Sequence, residues 1–347
     1  MRGVVWHGPY DVRVAENLPL PDRSQPADAV IRVTRTAICG TDLHPYRGEI
    51  ANFQPQSVMG HEFTGIVEEV GSQVHQFKRG DRVVASDVIA CGQCWYCHRG
   101  WHYQCQNVSL FGYGTVVGPY VPGGQAEYVR IPYADIVLSP IPPTLQDEQA
   151  LFVGDILTTG FSCAAEAHIA PGDTVAVIGC GPVGLFAIMS AYLMGAGRVL
   201  ALDPDPQRRA QAEKHGALPV VPDEHVEERV REYTQGRGAD SVLEAVGSDK
   251  ALTTALAVVR PKGTVSIVGA HSSHAMPFPS IQAFAKEITL RFVVGDPIRT
   301  RNQLMPLLET GRIDPVSIIS HRIPLQEAAQ GYQLFDQRKA TKVVLIP

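Results

Sequence analysis

Four cysteines crowd one short stretch, Cys91-Gly-Gln-Cys94-Trp-Tyr-Cys97-His-Arg-Gly-Trp-His-Tyr-Gln-Cys105. Two tight Cys-x-x-Cys steps are followed by a longer return. Thiolates spaced in this way converge on one tetrahedral ion, with Zn–S distances of about 2.3 Å. Cysteines only two residues apart bridge poorly as disulfides, and nothing marks the chain as secreted. The spacing therefore predicts a structural zinc held by Cys91, Cys94, Cys97 and Cys105. Such a site is closed to substrate. It accounts for folding, and it directs attention to a second, open site.

Candidates for that site lie upstream. Cys39-Gly-Thr41-Asp42-Leu-His44 packs four polar, chemically useful side chains into six residues at the end of an expected strand. Gly60-His61-Glu62 follows, leading into an alternating run, Phe63-Thr-Gly-Ile-Val-Glu-Glu-Val70. A catalytic zinc takes three protein ligands and leaves one position for water or substrate. Cys39 and His61 fit two of the three. Taken alone, Cys39 reads better as a small buried apolar group and His61 as a hydrogen-bonded core residue; beside the cysteine loop and the motifs that follow, the ligand reading prevails.

The second half carries a different chemistry. Gly179-Cys-Gly181-Pro182-Val183-Gly184 follows directly on the apolar run Thr174-Val-Ala-Val-Ile178 and opens a helical pattern. Gly-x-Gly-x-x-Gly is weak by itself, but between a strand and a helix it is a dinucleotide-binding turn. Gly179 permits the turn, Gly181 lets the backbone approach a pyrophosphate, and Gly184 allows helix and strand to pack closely. The helix N-terminus then offers unpaired N–H groups to the phosphates. The next strand, Arg198-Val-Leu-Ala-Leu202, ends in Asp203, a carboxylate suited to the ribose hydroxyls of NAD and repelling the 2′-phosphate of NADP. Arg208 and Arg209 pull the other way, and NAD is the expected cofactor.

These motifs need elements to hold them. Residues 3–6, 11–14 and 28–36 read as short strands broken by Pro and Gly, the start of a β-rich domain. Residues 113–128, rich in Gly and Tyr, read as a loop and a following strand beside the substrate pocket. From residue 174 onward strands and helices alternate: helix 207–216, strand 218–221, helix 226–234, strand 241–246, helix 250–259, strand 263–268, helix 280–286 and strand 288–294. That order predicts an α/β fold with a doubly wound parallel sheet. Val246, Val268 and Ala270 fall at C-terminal strand ends, where such sheets bind ligands. The tail, 296–347, is expected to hold one helix, at 325–336, and a strand at 342–346.

Composition bounds the function. The chain has 347 residues and a net charge of −5, with 45% hydrophobic and 19% charged residues. That length suits two domains. An acidic balance without a Lys/Arg-rich run argues against a nucleic-acid partner. The opening residues lack the apolar core of a signal peptide, and no apolar stretch is long enough to span a bilayer. Seven cysteines, four in one metal loop, fit a reducing cytoplasm.

Taken together, Cys39-Gly-Thr-Asp-Leu-His44, Gly60-His61-Glu62, the cysteine loop and the glycine turn resemble the zinc-dependent alcohol dehydrogenases of the medium-chain dehydrogenase/reductase superfamily. The resemblance runs in order over nearly the whole chain. It implies a GroES-like β-barrel catalytic domain, residues 1–152 and 296–347, and a Rossmann NAD-binding domain, residues 153–295, with the cofactor in the cleft between them. It implies two zinc ions per chain. Cys39 and His61 correspond to catalytic ligands, Glu62 to the acidic residue beside the zinc, and Asp42 to the carboxylate that orients the zinc histidine. Thr41 corresponds to the hydroxyl that takes the alcohol proton and His44 to the surface end of the relay. Asp155, in Gly154-Asp155 before Thr158-Thr159-Gly160, fits the third ligand, the alternative being a helix cap. Arg208 occupies a place that is often basic, on the adenosine ribose or nearby phosphate.

Val268 and Ala270 should line the nicotinamide side, and Thr159 should pack on the ring from the catalytic domain. Asp87 stands where several relatives carry a bulky apolar residue facing the substrate. An Asp there would favour a polar or positively charged substrate, unless it is a solvated loop residue. The implied reaction is reversible hydride transfer between an alcohol and NAD. Threonine, polyol and formaldehyde dehydrogenases of the same family compete as substrate readings, and a non-catalytic NAD-binding protein would leave the ligand set without a purpose. A homotetramer or homodimer is expected, through the edge strand of the cofactor sheet, with no membrane partner.

Overall fold

The computed structural model describes residues 1–22, 25–270, 275 and 278–347. They form two units, Met1–Asp155 with Asp296–Pro347, and Ile156–Gly295.

In the first unit, period-two sequence makes long strands with one buried face. Ala29–Ile38 and Glu62–Val70 pair antiparallel in the middle of a seven-stranded sheet. On one side the sheet continues through Val343–Ile346 to His321–Pro324, and on the other through Arg82–Ala85 to Leu138–Pro140. Tyr128–Ile131 also pairs with Ala29–Ile38. Ile31, Val33, Phe63, Val67, Val83 and Ile131 fill the core between the curved faces.

Register is what matters for function. Ala37 lies opposite Glu62 and opposite Val344, and Ile38 opposite Val343. The residues just past these strand ends, Cys39, His61 and Lys342, therefore lie at one level of the sheet. Asp155 reaches the same level by another route, through the helix Asp147–Leu151 and the turn Phe152–Gly154. Gly154 is needed there: a Cβ would stand 2.3 Å from the carbonyl oxygen of Ala85. Its own carbonyl accepts the amide of Asp87 at 2.8 Å. This docking puts residues 153–155 in the first unit, so the boundary falls three residues later than expected.

The second unit is a parallel six-stranded sheet. Its strands are β1 (Thr174–Ile178), β2 (Arg198–Leu202), β3 (Leu218–Val220), β4 (Ala239–Glu244), β5 (Val259–Ile267) and β6 (Thr289–Phe292). Their order is β3-β2-β1-β4-β5-β6. All five residues of β1 are buried, as a strand covered on both faces requires. Gly160 has no space for a side chain, since a Cβ would meet the Ala187 amide at 2.7 Å, so the helices Ile156–Ala165 and Pro182–Leu193 pack closely. This helix carries Thr159, which lies in the second unit, inside the 153–295 bounds given for the cofactor domain and not on the catalytic side from which it was expected to reach the ring.

One further correction concerns the tail, which holds the helix Pro297–Glu309 in addition to Ala328–Asp336. Two prolines hid it. Pro297 occupies the first turn, where no amide donor is required, while Pro306 sits inside. Asp296 caps the start by accepting from the Arg299 amide at 3.0 Å. Leu304 of this helix is fully buried. Replacing it with alanine should destabilise the first unit by about 2–5 kcal/mol in chemical denaturation.

Candidate functional site

Cys39, His61, Glu62 and Asp155 bring four donor atoms within 4.8 Å of one another. Asp155 Oδ2 lies 3.3 Å from Cys39 Sγ and 3.4 Å from His61 Nε2. A tetrahedral zinc with ordinary bond lengths separates such donors by about 3.4–3.6 Å. The spacing fits an ion at their centre.

The electrostatics ask for one as well. Burial, together with the Asp155 and Glu62 charges, pushes the Cys39 thiol up to about 12. Burial opposes a charge on His61, yet the Asp42 carboxylate and Cys39 lift the imidazole well above its ordinary value. Burial would raise Asp155, but its hydrogen bond and charge interaction with His61 bring it down to about 2. Without a metal, protons on Cys39 and His61 balance the site. A dication would displace both, as metal binding to thiol and imidazole does generally.

Asp42 stands behind this cluster and is fully buried. Its Oδ1 faces His61 Nδ1 at 3.4 Å, and neither atom has another hydrogen-bond partner. Its Oδ2 accepts from the Cys39 amide at 2.9 Å and from Gln125 Nε2 at 3.1 Å. Tyr332 donates its hydroxyl to Gln125 Oε1 at 2.8 Å. Sequence reasoning did not find Gln125 or Tyr332, because nothing in their local pattern sets them apart. Lys342 was also missed, although a lysine heading the apolar run Val343–Ile346 is a visible signal. Thr41 lies on the turn after Cys39, half-buried. His44 is on the one-turn helix Leu43–Tyr46, its Nδ1 2.6 Å from Glu49 Oε2.

Asp87 is close enough to Asp155 and His61 to feel both charges, and burial pushes its carboxyl well above the usual range. Its Oδ1 accepts the Val88 amide at 2.7 Å. Burial also raises the hydroxyls of Tyr103 and Tyr113.

The four loop cysteines form the second donor group. Their Sγ atoms are separated by 3.5 Å (Cys94 to Cys97), 3.5 Å (Cys91 to Cys105) and 3.9 Å (Cys94 to Cys105). A disulfide is far shorter, at about 2.05 Å, whereas the edge of a Zn–S tetrahedron is about 3.8 Å. Backbone amides point at the sulfurs. Those of Cys97 and Gln106 bring Cys94 down to about 6. The loop is tied to the helix Pro297–Glu309 through His102, whose amide and Nδ1 approach the Asp296 carboxylate at 2.9 and 3.0 Å.

In the second unit the glycine turn lies between β1 and the helix Pro182–Leu193, with Gly181 as N-cap and Pro182 first in the helix. Gly179 has φ +89°, and a Cβ on Gly184 would stand 1.8 Å from the Gly179 carbonyl oxygen. Gly181, by contrast, faces open space, with only Arg208 Nη1 near, at 3.9 Å. That is a cradle for an anionic group at a helix N-terminus. Asp203, at the end of β2, is buried and accepts from the amides of Cys180 (2.8 Å) and Asp205 (2.9 Å). Arg208 Nη1 is 3.9 Å from Asp203 Oδ2. Val183 is half-buried beside the turn, while Val246, Val268 and Ala270 lie at or beyond the ends of β4 and β5.

Residues 25–143 match the model of the alcohol dehydrogenase GroES-like domain, and residues 182–310 that of the zinc-binding dehydrogenases. The chain belongs to the zinc-dependent alcohol dehydrogenases. It is 38% identical to an uncharacterized zinc-type alcohol dehydrogenase-like protein of Bacillus subtilis, over 100% of both chains. The structure of an alcohol dehydrogenase from Thermus sp. ATN1 is 42% identical, covers 100% of this chain and 99% of its own, and superposes with a TM-score of 0.96. A zinc-binding dehydrogenase of Sinorhizobium meliloti 1021, solved with NADP, is 29% identical with a TM-score of 0.87, covering 100% and 99%. The family is one of oxidoreductases that use zinc and a nicotinamide cofactor on small-molecule substrates. Among the described residues, no helix of this dehydrogenase is long and apolar enough to cross a membrane.

Two substitutions probe the two units separately. Cys94→Ser should lower the metal content by one equivalent per chain and reduce the melting temperature by several degrees, read by metal analysis and thermal unfolding. Gly184→Ala should abolish binding of the dinucleotide in calorimetry while leaving the metal content intact, because the added methyl meets backbone.

Proposed function

We propose that this dehydrogenase transfers a hydride reversibly between an alcohol and NAD, with one zinc at Cys39, His61 and Asp155 and a second at the four loop cysteines. The spacing of Cys39, His61 and Asp155 around one point carries this reading. When bound there, zinc would act as a Lewis acid and make an alcohol hydroxyl acidic enough to ionise near neutral pH.

The chain's own residues supply the rest. Asp42 holds Nδ1 of His61, fixing the tautomer that leaves Nε2 for the metal. The Thr41 hydroxyl takes the substrate proton, and His44, paired with Glu49, passes it to solvent. The amides at the start of the Pro182–Leu193 helix receive the pyrophosphate, with Arg208 beside them. Asp203 binds the adenosine ribose hydroxyls, which supports NAD over NADP. Thr159, Val246, Val268 and Ala270 line the nicotinamide side. Asp87, with Tyr103 and Tyr113, gives the substrate region a polar lining and supports an alcohol that carries a second polar group. Ile281, Phe284 and Phe292 are 85%, 86% and 66% exposed on and before β6, which supports a homo-oligomer formed along that edge. Seven reduced cysteines agree with a cytoplasmic setting.

The test is absorbance at 340 nm with NAD or NADP and a panel of primary, secondary and polyhydric alcohols, threonine, and formaldehyde with and without glutathione. Activity with NAD that disappears on chelation is expected. Cys39→Ala and His61→Ala should each lower kcat by at least ~10³-fold with NAD affinity retained, and normal turnover in either would defeat the ligand assignment. Asp203→Ala should raise KM for NAD by roughly 10- to 100-fold, the worth of charge-assisted hydrogen bonds lost.

A further inference from the structure

Lys342 is fully buried, as is its partner Glu62. Its Nζ donates to Glu62 Oε1 at 2.8 Å and forms an ion pair with Oε2 at 2.6 Å. The ammonium also stands 5.5 Å from the centre of the Phe152 ring. An ammonium and a carboxylate taken out of water lose several kcal/mol each, and an apolar pair of the same volume would serve packing as well or better. The strand it heads, Val343–Ile346, is otherwise apolar. Packing therefore does not explain the lysine.

The metal cluster does. Glu62 has a carboxylate oxygen within 4.8 Å of the donors of Cys39, His61 and Asp155. Were that oxygen to bind, four protein donors would close the tetrahedron, as in a structural site, and no position would remain for substrate. Charge presses in that direction. An ionised Cys39, Asp155 and Glu62 carry three negative charges against the ion's two, so a dication attracts all three. Lys342 supplies the missing positive charge and engages Glu62 at both oxygens from the strand on the other side.

We propose that Lys342 is a positioning residue that holds Glu62 off the catalytic zinc and so keeps the fourth coordination position open. The inference rests on the zinc reading above and adds to it a reason for a buried charge outside the ligand set.

Cobalt(II) exchanged for zinc in the full chain gives the readout, since its visible bands report the ligands and respond to added imidazole only where a position is open. The parent should hold two metals per chain and respond. Lys342→Met should lose the imidazole response and retain its cobalt roughly tenfold more tightly against a chelator. Adding Glu62→Gln to Lys342→Met should restore the response, and Lys342→Arg should behave as the parent. A Lys342→Met spectrum that responds as the parent does would overturn the proposal. Glu62→Gln alone decides if Lys342→Met does not fold: an unaltered resting spectrum supports the proposal, and an altered one means that Glu62 already binds the metal beside Lys342. A parent that binds only the loop metal would remove the zinc reading itself, and this inference with it.

Discussion

Like charge in a dry place is the constraint on which the first unit turns. Cys39, Glu62 and Asp155 converge with His61 where little water reaches, and no protein interior tolerates several anions at one point without a cation. The chain meets that constraint in layers. Lys342 balances Glu62 from one strand. Asp42 faces the far nitrogen of His61 and is itself held by the Cys39 amide and Gln125. What remains, a buried thiol and imidazole beside the Asp155 carboxylate, has the donor types and spacing that suit a dication.

The sheet explains why these groups meet at all. Ala29–Ile38 pairs antiparallel with Glu62–Val70 and with Val343–Ile346, so three strand ends come level. Residues 39, 61 and 342 share one stratum although some three hundred positions separate the first from the last. Asp155 arrives from below on a turn whose glycine presses against Ala85. A shift of one residue in either pairing would turn the shifted strand's side chains to the opposite face. The donor cluster is thus as rigid as the hydrogen-bond ladder beneath it. The second unit follows a similar economy: one parallel strand, one turn and one helix shape the glycine cradle, and Asp203 stands at the end of the neighbouring strand.

Much of this was legible in the order of residues. The cysteine loop and the Gly-x-Gly-x-x-Gly turn are local: all their chemistry lies within a few residues, and spacing alone determines what can converge. Cys39 and His61 were harder, since each is ordinary alone and gains meaning only beside the other motifs. The tail helix Pro297–Glu309 was not legible, because prolines at its first turn and inside it mimic a loop while its capping aspartate and buried Leu304 act through tertiary packing. The domain boundary was set three residues early, since the turn Phe152–Gly154 is held to Ala85 and Asp87 by contacts remote in the chain.

What the sequence pointed to alone, then, was the kind of chemistry: thiols spaced as for a closed metal site, a soft and hard donor pair, and a glycine turn of the dinucleotide-binding type. Short-range geometry requires no more than residue type and interval. Tertiary structure decided the rest. It chose Asp155 as a neighbour of Cys39, set Gln125 and Tyr332 behind Asp42, and paired Lys342 with Glu62. These contacts join residues that are remote in the chain, and only strand register and burial bring them within a few ångströms. Burial then alters their charge states, a property that belongs to the folded site and to none of its residues singly.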